Sequence, residues 1–408
     1  MTPADPRQAL PRFESFIQRF APLLGEDSRP ARAQAYVRGL VLDNDDNKTA
    51  AAIALKVHGQ PSQVRMTQVF VSQSPWRDEP LRQELAHWVD QELGSDDGIF
   101  VIAEGSFLKC GDKSVGTGRQ YLGCVGTMAN GQVAVYLAYA SAHGHTCLDT
   151  RLYLLEEWTN DPQRLAEAGV PPDVAFRTQP ELGLELVRHR RHQVRHGWVT
   201  FDETYGRNAD FLSGLEELGE RSIGAVPKDA RGWRKRPAVE APRAGPKGRP
   251  TRTARLRPGE PEPRTVEAID AALPSTAWPR RKFRDGSKGE QVAYLARVRF
   301  VVERDDLPGP ELWLIIERGC NQQSYIKYYL SNAAPDCPLL AMVQAAHSRW
   351  TVADCFLRGK EEVGLDEYAV RGGRGWHHHQ TLAMLALWFL VLEKRRLGKK
   401  TGHTHDGA

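Results

Sequence analysis

The stretch SRWTVADCFLRGK, residues 348–360, holds two basic side chains at a spacing suited to phosphate chemistry. On a helix, Arg349, position 353, Phe356 and Lys360 share one face, because steps of four, three and four residues return to nearly the same angle. Between two basic residues that meet phosphate, a metal-binding carboxylate is expected, but the residue is Ala353. The pattern is that of a phosphate-facing helix without its oxygen donor.

Two other places put acidic residues directly after an apolar run. In VTFDETYGRN, Asp202 and Glu203 follow a predicted strand, where a lone Asp is usually a helix cap or a turn residue. In FVIAEGSFLKCGDKSVGTGRQY, we expect the strand to end at Ala103, with Glu104 next. The loop after this strand is basic and contains Lys109, Lys113 and Arg119.

The elements that must position these residues follow from the hydrophobic pattern. The first hundred residues show short helical patterns and predict a small α-helical unit, which either binds DNA or serves packing or dimerisation. From residue 99 strands alternate with helices, which indicates a mixed α/β sheet. Within it, QYLGCVGTMANGQVAVYLAYAS predicts two strands joined by a turn at Asn130-Gly131.

A basic, Pro- and Gly-rich segment interrupts this alternation. Residues 226–265 contain twelve Lys or Arg against four Asp or Glu, a local excess of +8, although the whole chain carries only +4. The segment is either a solvated connector or a stretch held against nucleic acid, where basic groups displace counterions. Antiparallel strand patterns follow it, and two closing helices are predicted from Leu339 to about Arg358 and from Trp376 to about Arg396.

Bulk properties indicate a soluble globular protein. The chain of 408 residues is 41% hydrophobic and 26% charged, and its six cysteines form no C-x-x-C pair, which favours a reducing cytoplasm. The first thirty residues lack a signal-peptide pattern. The longest apolar run, LAMLALWFLVL, is too short to cross a bilayer, so no membrane association is expected.

Taken in order, these motifs resemble the DDE-type bacterial insertion-sequence transposases. The similarity rests on K-x-G-x-x-S-V-G in the first loop, WVTFDE-x-YG, and RW followed by a helix running into GLDEY, and it covers roughly residues 10–395. KSVGTGRQY, LYLLEEWTND, YIKYYLSNA and RGWHHHQTLAML support it along the chain. The branch it resembles carries a Tyr-Arg-Glu-Lys signature and an insertion before the Glu.

This resemblance implies a ribonuclease-H-like mixed sheet with a β-rich insertion and an N-terminal α-helical domain. The implied organisation is a helical, possibly DNA-binding domain at 1–98, the first part of the core at 99–225, a basic linker plus the insertion at 226–338, the C-terminal core helices at 339–396, and a disordered tail at 397–408. The resemblance also implies two partners. One is DNA, and the other is a second copy of the chain in a homodimer, because the family joins two transposon ends.

The family's mechanism uses two Mg²⁺ ions about 4 Å apart, held by two Asp and one Glu. Carried over residue by residue, the second Asp is Asp202, the first falls on Ala103, and the Glu falls on Ala353. The signature Arg and Lys match Arg349 and Lys360, while the Tyr falls on Ala346. Since Mg²⁺ needs oxygen ligands, Asp202 alone is a weak metal ligand, and no cofactor is expected unless the site is restored.

Neighbouring residues could replace the missing ligands only with a change of geometry. Glu104, Asp354 and Glu203 each lie one residue after a ligand position. A shift of one residue reverses a side chain on a strand and rotates it by about 100° on a helix, so a bulge at Gly105 or a register shift would be required.

A set of basic or polar residues is expected to contact DNA. The set is Lys109, Lys113, Arg119, Arg349, Lys360, Arg371, Arg374 and His378. Adjacent histidines at the start of a helix point in three directions, so His377, His378 and His379 cannot all ligate one metal ion. The triplet binds a metal ion through fewer than three of its rings, lines the DNA path, or forms an ordinary helix entrance.

Three functions are compatible with the sequence. The chain is a transposase-derived DNA-binding protein that no longer cuts, an active or deliberately inactivated Mg²⁺-dependent transposase, or a scaffold recruited for a small-molecule or protein partner. The first is favoured, because removing two carboxylates removes their mutual repulsion and leaves the basic groups that bind phosphate.

Overall fold

The structure is a computed structural model and describes residues 9–25, 28–42, 47–242, 253–286, 289–320 and 325–398. The middle of the predicted basic linker, residues 243–252, and residues 399–408 of the predicted disordered tail lie outside the described residues.

Helices and strands are numbered here in chain order. The α-helices are α1 (Ala9–Gln18), α2 (Ser28–Val41), α3 (Ala50–His58), α4 (Ser62–Ser72), α5 (Asp78–Leu93), α6 (Glu156–Thr159), α7 (Pro162–Glu167), α8 (Gln179–Arg190), α9 (Glu203–Gly206), α10 (Ala209–Glu217), α11 (Val266–Ala271), α12 (Leu339–His347), α13 (Trp350–Val363) and α14 (Gly373–Arg396). The strands are β1 (Ile99–Leu108), β2 (Gly118–Leu122), β3 (Thr127–Ser141), β4 (Gly144–Tyr153), β5 (Trp198–Phe201), β6 (Ser222–Val226), β7 (Arg231–Trp233), β8 (Val239–Glu240), β9 (Arg255–Leu256), β10 (Arg264–Thr265), β11 (Arg280–Gly286), β12 (Gly289–Arg304), β13 (Leu307–Gly319) and β14 (Ile326–Ser331).

Contacts divide the chain into two compact units. Unit 1 consists of residues 1–197 and 350–408, and unit 2 of residues 198–349. Unit 1 is assembled from two stretches that are far apart in sequence, and the predicted domain boundaries stay a prediction.

Unit 1 combines an antiparallel sheet with helices. The long strand β3 pairs with β1, β2 and β4. The helix α14 is buried over most of its length, and helices from the start of the chain pack against it. Phe13 of α1 contacts Phe389 with ring centroids 5.2 Å apart, and Trp88 of α5 lies 6.3 Å from Trp388. The predicted N-terminal helices therefore share a core with the last helix.

Two local predictions for unit 1 are wrong. The strand β1 ends at Leu108 and not at Ala103, because β3 pairs with it along its whole length. The predicted turn at Asn130-Gly131 lies inside β3. The Asn130 side chain donates hydrogen bonds to two carbonyls of the loop after β1, at 2.8 Å each. The turn between β2 and β3 instead lies around Gly126, whose φ of +67° suits glycine.

Unit 2 is dominated by antiparallel strands. β5 and β6 pair in parallel, and β6 continues through β14, β13, β12 and β7 to β10, while β11 pairs with β12. The strands β12, β13 and β14 confirm the antiparallel pattern expected after the basic segment. One face of these strands packs with α11 around an apolar cluster that includes Phe300, Leu314 and Ile269.

The first closing helix is not continuous. The predicted helix from Leu339 to about Arg358 is two helices, α12 and α13, separated by Ser348 and Arg349. The break coincides with the residue at which unit 2 ends and unit 1 resumes. The second closing helix forms as expected and begins three residues earlier, at Gly373. The mixed α/β class is confirmed, and no helix in the described ranges has the length and apolarity needed to span a membrane.

Candidate functional site

Asp202, the carboxylate that the resemblance assigns to the metal site, is engaged within unit 2. It follows β5 and caps α9, with Oδ1 accepting a hydrogen bond from the Thr204 amide at 2.9 Å. Its Oδ2 lies 3.4 Å from Arg349 Nη2, and about a quarter of the side chain is exposed. Glu203 is exposed in the first turn of α9. Asp202 therefore acts as a helix cap and as the partner of one expected DNA-binding arginine.

In unit 1, Ala103 faces α13. A methyl group built on Gly105 would lie 3.5 Å from the Phe356 ring, which places the odd-numbered residues of this part of β1 toward α13. Ala103 pairs with Tyr136, whose ring centroid is 4.9 Å from that of Phe356. Ala103 is buried, whereas Ala353 on α13 is exposed. At both positions the side chain is a methyl group.

Glu104 points to the other side of the sheet. The register between β1 and β3 is unbroken from Ile99 to Leu108, so there is no bulge at Gly105. Glu104 pairs with Val135, which in turn pairs with Arg151, and the Arg151 guanidinium binds Glu185 of α8 at 2.9 Å. The face that carries Glu104 is thus the α8 face, opposite to the face of Ala103.

Asp354 is held by a histidine. Its Oδ2 lies 2.6 Å from Nε2 of His145 on β4, and the His145 ring packs edge-on against Trp350. Burial opposes ionisation of Asp354, but the hydrogen bond and charge of His145 hold its pKa below the usual range. The carboxylate anchors α13 to the sheet.

Two expected DNA-binding lysines are Lys360 on α13 and Lys109 directly after β1. Lys360 Nζ is 3.4 Å from the Ser106 carbonyl oxygen and 3.9 Å from Asp366. Lys109 Nζ lies 3.6 Å above the Tyr368 ring, and burial lowers the pKa of Lys109 to about 8, against the opposing effect of Asp366. Both lysines are half-buried.

Four further expected DNA-binding residues are exposed. They are Lys113, Arg119, Arg371 and Arg374, all in unit 1. The Val115 amide in the loop after β1 donates to the Arg371 carbonyl at 2.8 Å. This hydrogen bond brings the first loop next to the segment before α14, although the two segments are far apart in the sequence.

The three adjacent histidines point in different directions, as expected, and they do not share a ligand. His378 is 1% exposed, stacks on Trp76 at 3.5 Å, and has both ring nitrogens within 3.0 Å of backbone carbonyls. Its burial contradicts the expectation that it contacts DNA. His379 is fully buried, donates to the Gly364 carbonyl and lies 3.0 Å from the Tyr36 hydroxyl. Burial lowers the pKa of each of these two rings to about 4.

A buried ionic network in unit 1 was not anticipated. Asp149 of β4 is fully buried and accepts hydrogen bonds from Arg151, at 2.9 Å, and from Arg190, at 2.7 Å, while Arg82 Nε lies 2.9 Å away. Burial opposes its ionisation, yet these arginines, Arg151 first, hold the pKa of Asp149 well below its usual range. The sequence feature that could have indicated this network is the acidic residue Asp149 within the strand pattern HTCLDTRLY.

The positions that the resemblance assigns to Mg²⁺ ligands offer few free oxygen donors. Alanine side chains at 103 and 353 carry no oxygen, and Asp202 and Asp354 already have partners of their own. Among the described residues, no group of three His, Cys, Asp or Glu side chains is arranged to hold a metal ion. Mg²⁺ requires several oxygen ligands in near-octahedral geometry.

Comparison with known proteins identifies the family. A family model described as DDE superfamily endonuclease matches residues 19–290, a range that includes Ala103 and Asp202 but not Ala353. The chain is also similar to a probable transposase for insertion sequence element IS701 from Microchaete diplosiphon, with 29% identity over 226 residues. That match covers 54% of this chain and 56% of the relative, so it spans about half of each. The predicted resemblance to DDE-type enzymes and the ribonuclease-H-like fold class are confirmed, and the chain belongs to the DDE superfamily endonucleases.

Proposed function

We propose that this chain is a DNA-binding member of the transposase family that does not cleave DNA. The observation that carries the proposal is the unbroken β1–β3 register, which turns Ala103 toward α13 and Glu104 to the opposite face. With Glu104 on the wrong face and Asp354 bound to His145, neither neighbour supplies a carboxylate where the family has one. Two of the three ligand positions therefore lack an oxygen donor.

DNA binding depends on groups that the substitutions leave in place. Four exposed basic residues can neutralise phosphates and release counterions, namely Lys113, Arg119, Arg371 and Arg374. Replacing carboxylates by alanine also removes negative charge that repels a phosphate backbone when no metal screens it. DNA affinity without metal is thus expected to equal or exceed that of a chain with the full acidic triad.

Binding is tested by electrophoretic mobility shift with duplex DNA over a range of salt concentrations. The slope of log affinity against log salt should become less steep by about 0.9 for every phosphate that the protein no longer neutralises. We expect Lys113→Gln with Arg371→Gln to reduce the slope by about 2, and Arg38→Gln with Arg188→Gln, at exposed sites elsewhere in unit 1, to leave it unchanged. Failure of the unmodified chain to bind any duplex at about 50 mM salt would instead favour recruitment for a non-DNA role.

Cleavage is tested with supercoiled plasmid and Mg²⁺ or Mn²⁺. The chain as it stands should not nick DNA, whereas Ala103→Asp with Ala353→Glu should restore metal-dependent nicking. The matched control is Ala103→Asn with Ala353→Gln, which has the same shape without the charge and should remain inactive. Restored activity should disappear when Asp202→Asn is added. Nicking by the unmodified chain would contradict the proposal and favour an active transposase with substitute ligands.

Homodimerisation remains a prediction of the family resemblance. Light scattering of the purified chain with and without duplex DNA measures it directly. A monomer in both conditions would contradict the prediction without affecting the proposed loss of cleavage.

A further inference from the structure

Unit 1 contains a cavity of about 900 Å³ that no part of the proposed function uses. Its walls come from the start of α5, the end of β4, the loop at residues 169–177, the helix α8 and the start of α14. A volume of this size suits an organic ligand of about the size of a nucleotide.

The inner arginines of the cavity are paired with carboxylates. Arg82 binds Asp78, and its guanidinium also reaches Glu79 at 3.0 Å. Arg151 binds Glu185 at 2.9 Å in addition to the buried Asp149. The deep wall is therefore electrically neutralised by its own network and does not need a ligand anion.

The outer arginines differ from the inner ones. Arg77, which precedes α5, is exposed and forms no ion pair or hydrogen bond with another described residue. Arg374, in the first turn of α14, is exposed, and its one hydrogen bond among the described residues goes to the Gln73 carbonyl, at 3.1 Å. The first turn of α14 contains no acidic residue to offset the positive end of the helix dipole. Arg77 and Arg374 thus line the cavity without a carboxylate partner among the described residues, and Asp173 is a further charged residue of the lining.

The remaining wall is mixed. Its apolar part includes Val115, Leu152, Leu154, Val170, Val174 and Leu182, and its polar part includes Gln83, Asp173, His189 and Gln193. A ligand that fits the two arginines and the apolar part has an anionic end and a compact body with little charge.

We propose that this cavity binds a phosphate monoester with a ring-sized body, with the phosphate between Arg77 and Arg374. Free mononucleotides and the 5′-phosphorylated end of a DNA strand share this chemistry. The strand end is favoured by position, because Arg374 is also one of the expected DNA-binding residues and Val115 lines the cavity from the loop that carries the exposed Lys113. The proposal does not depend on whether the chain cleaves DNA.

The test measures binding of deoxyadenosine monophosphate to the full chain by isothermal titration calorimetry. Deoxyadenosine, which lacks the phosphate, should bind at least about 30-fold more weakly, and Arg77→Gln with Arg374→Gln should weaken monophosphate binding by about the same factor. The matched control, Arg38→Gln with Arg188→Gln, removes two charges from exposed sites outside the cavity and should leave affinity unchanged. Both arginines at the cavity are exposed, so the double variant should fold, which circular dichroism checks.

Competition by single-stranded oligonucleotides of one sequence separates the two ligand sources. Displacement of the monophosphate by the 5′-phosphorylated strand, and not by the 5′-hydroxyl strand, identifies the strand end as the ligand. Displacement by neither strand identifies the free nucleotide. The proposal is overturned if the monophosphate does not bind at about 10 mM, or if the cavity variant and the control variant weaken binding equally.

Discussion

Replacement of Asp149 by asparagine should destabilise unit 1 strongly. Asp149 is fully buried, and the guanidinium groups of Arg82, Arg151 and Arg190 all lie within 2.9 Å of its oxygens. An asparagine side chain at this position would keep one acceptor oxygen but present an NH₂ group to a guanidinium and remove the compensating charge. Arg190 is itself fully buried and Arg82 is 4% exposed, so neither can recover its hydration without unfolding locally.

The expected loss in the free energy of unfolding is about 3–5 kcal/mol, the usual cost of breaking a buried ion pair by removing one partner. Urea unfolding followed by circular dichroism at pH 7 measures it. Asp366→Asn is the matched control, because Asp366 pairs with Lys360 at 3.9 Å in a partly exposed position and should change stability by less than about 1 kcal/mol. A loss below about 1 kcal/mol for Asp149→Asn would refute the view that this carboxylate holds the three arginines in place.

Three other results are expected. Asp354→Asn should lower the free energy of unfolding by about 1–2 kcal/mol at pH 7, since it weakens the bond to His145, and the same urea assay tests it. Lys109, labelled with ¹³C-methyl groups, should titrate by NMR near pH 8; a midpoint near 10.5 would contradict its described burial. His378 and His379 have folded pKa values of about 4 against an ordinary 6.5, so unfolding takes up protons between these values. Each ring's stabilisation, up to about 3 kcal/mol, is complete above pH 6.5 and is lost toward pH 4; replacing both by asparagine should flatten that part of the stability profile.

Local pattern was sufficient for the elements whose partners are near in sequence. The alternation in β12, β13 and β14 predicted three antiparallel strands, and α14 was expected from its apolar run. Local pattern was not sufficient where a residue or strand that is distant in the sequence determines the bounds of an element or the role of a side chain. The end of β1 depends on the length of β3, and the Asn130 side chain closes the loop after β1 in place of forming a turn.

The same distinction between local and distant determinants applies to the candidate site. The alternation of side chains along a strand predicted that Glu104 and Ala103 would point to opposite faces, and the β1–β3 register agrees. The partner of Asp354 was not predictable, because His145 lies 209 residues earlier and carries no motif. Burial of His378 was missed for a similar reason, since the two carbonyls that its ring meets belong to Val71 of α4 and to Trp76, 307 and 302 residues earlier in the sequence.

The arrangement of unit 1 has a consequence for biosynthesis. Residues 1–197 emerge from the ribosome well before α14 is synthesised. Phe13 and Tyr36 pack against this helix in the native structure. Until α14 is synthesised, α1 and α2 can pack on the other early helices but lack the part of their native packing that α14 supplies, and the nascent chain is exposed to aggregation and to chaperones. Unit 1 can therefore complete its fold only late in translation or after release.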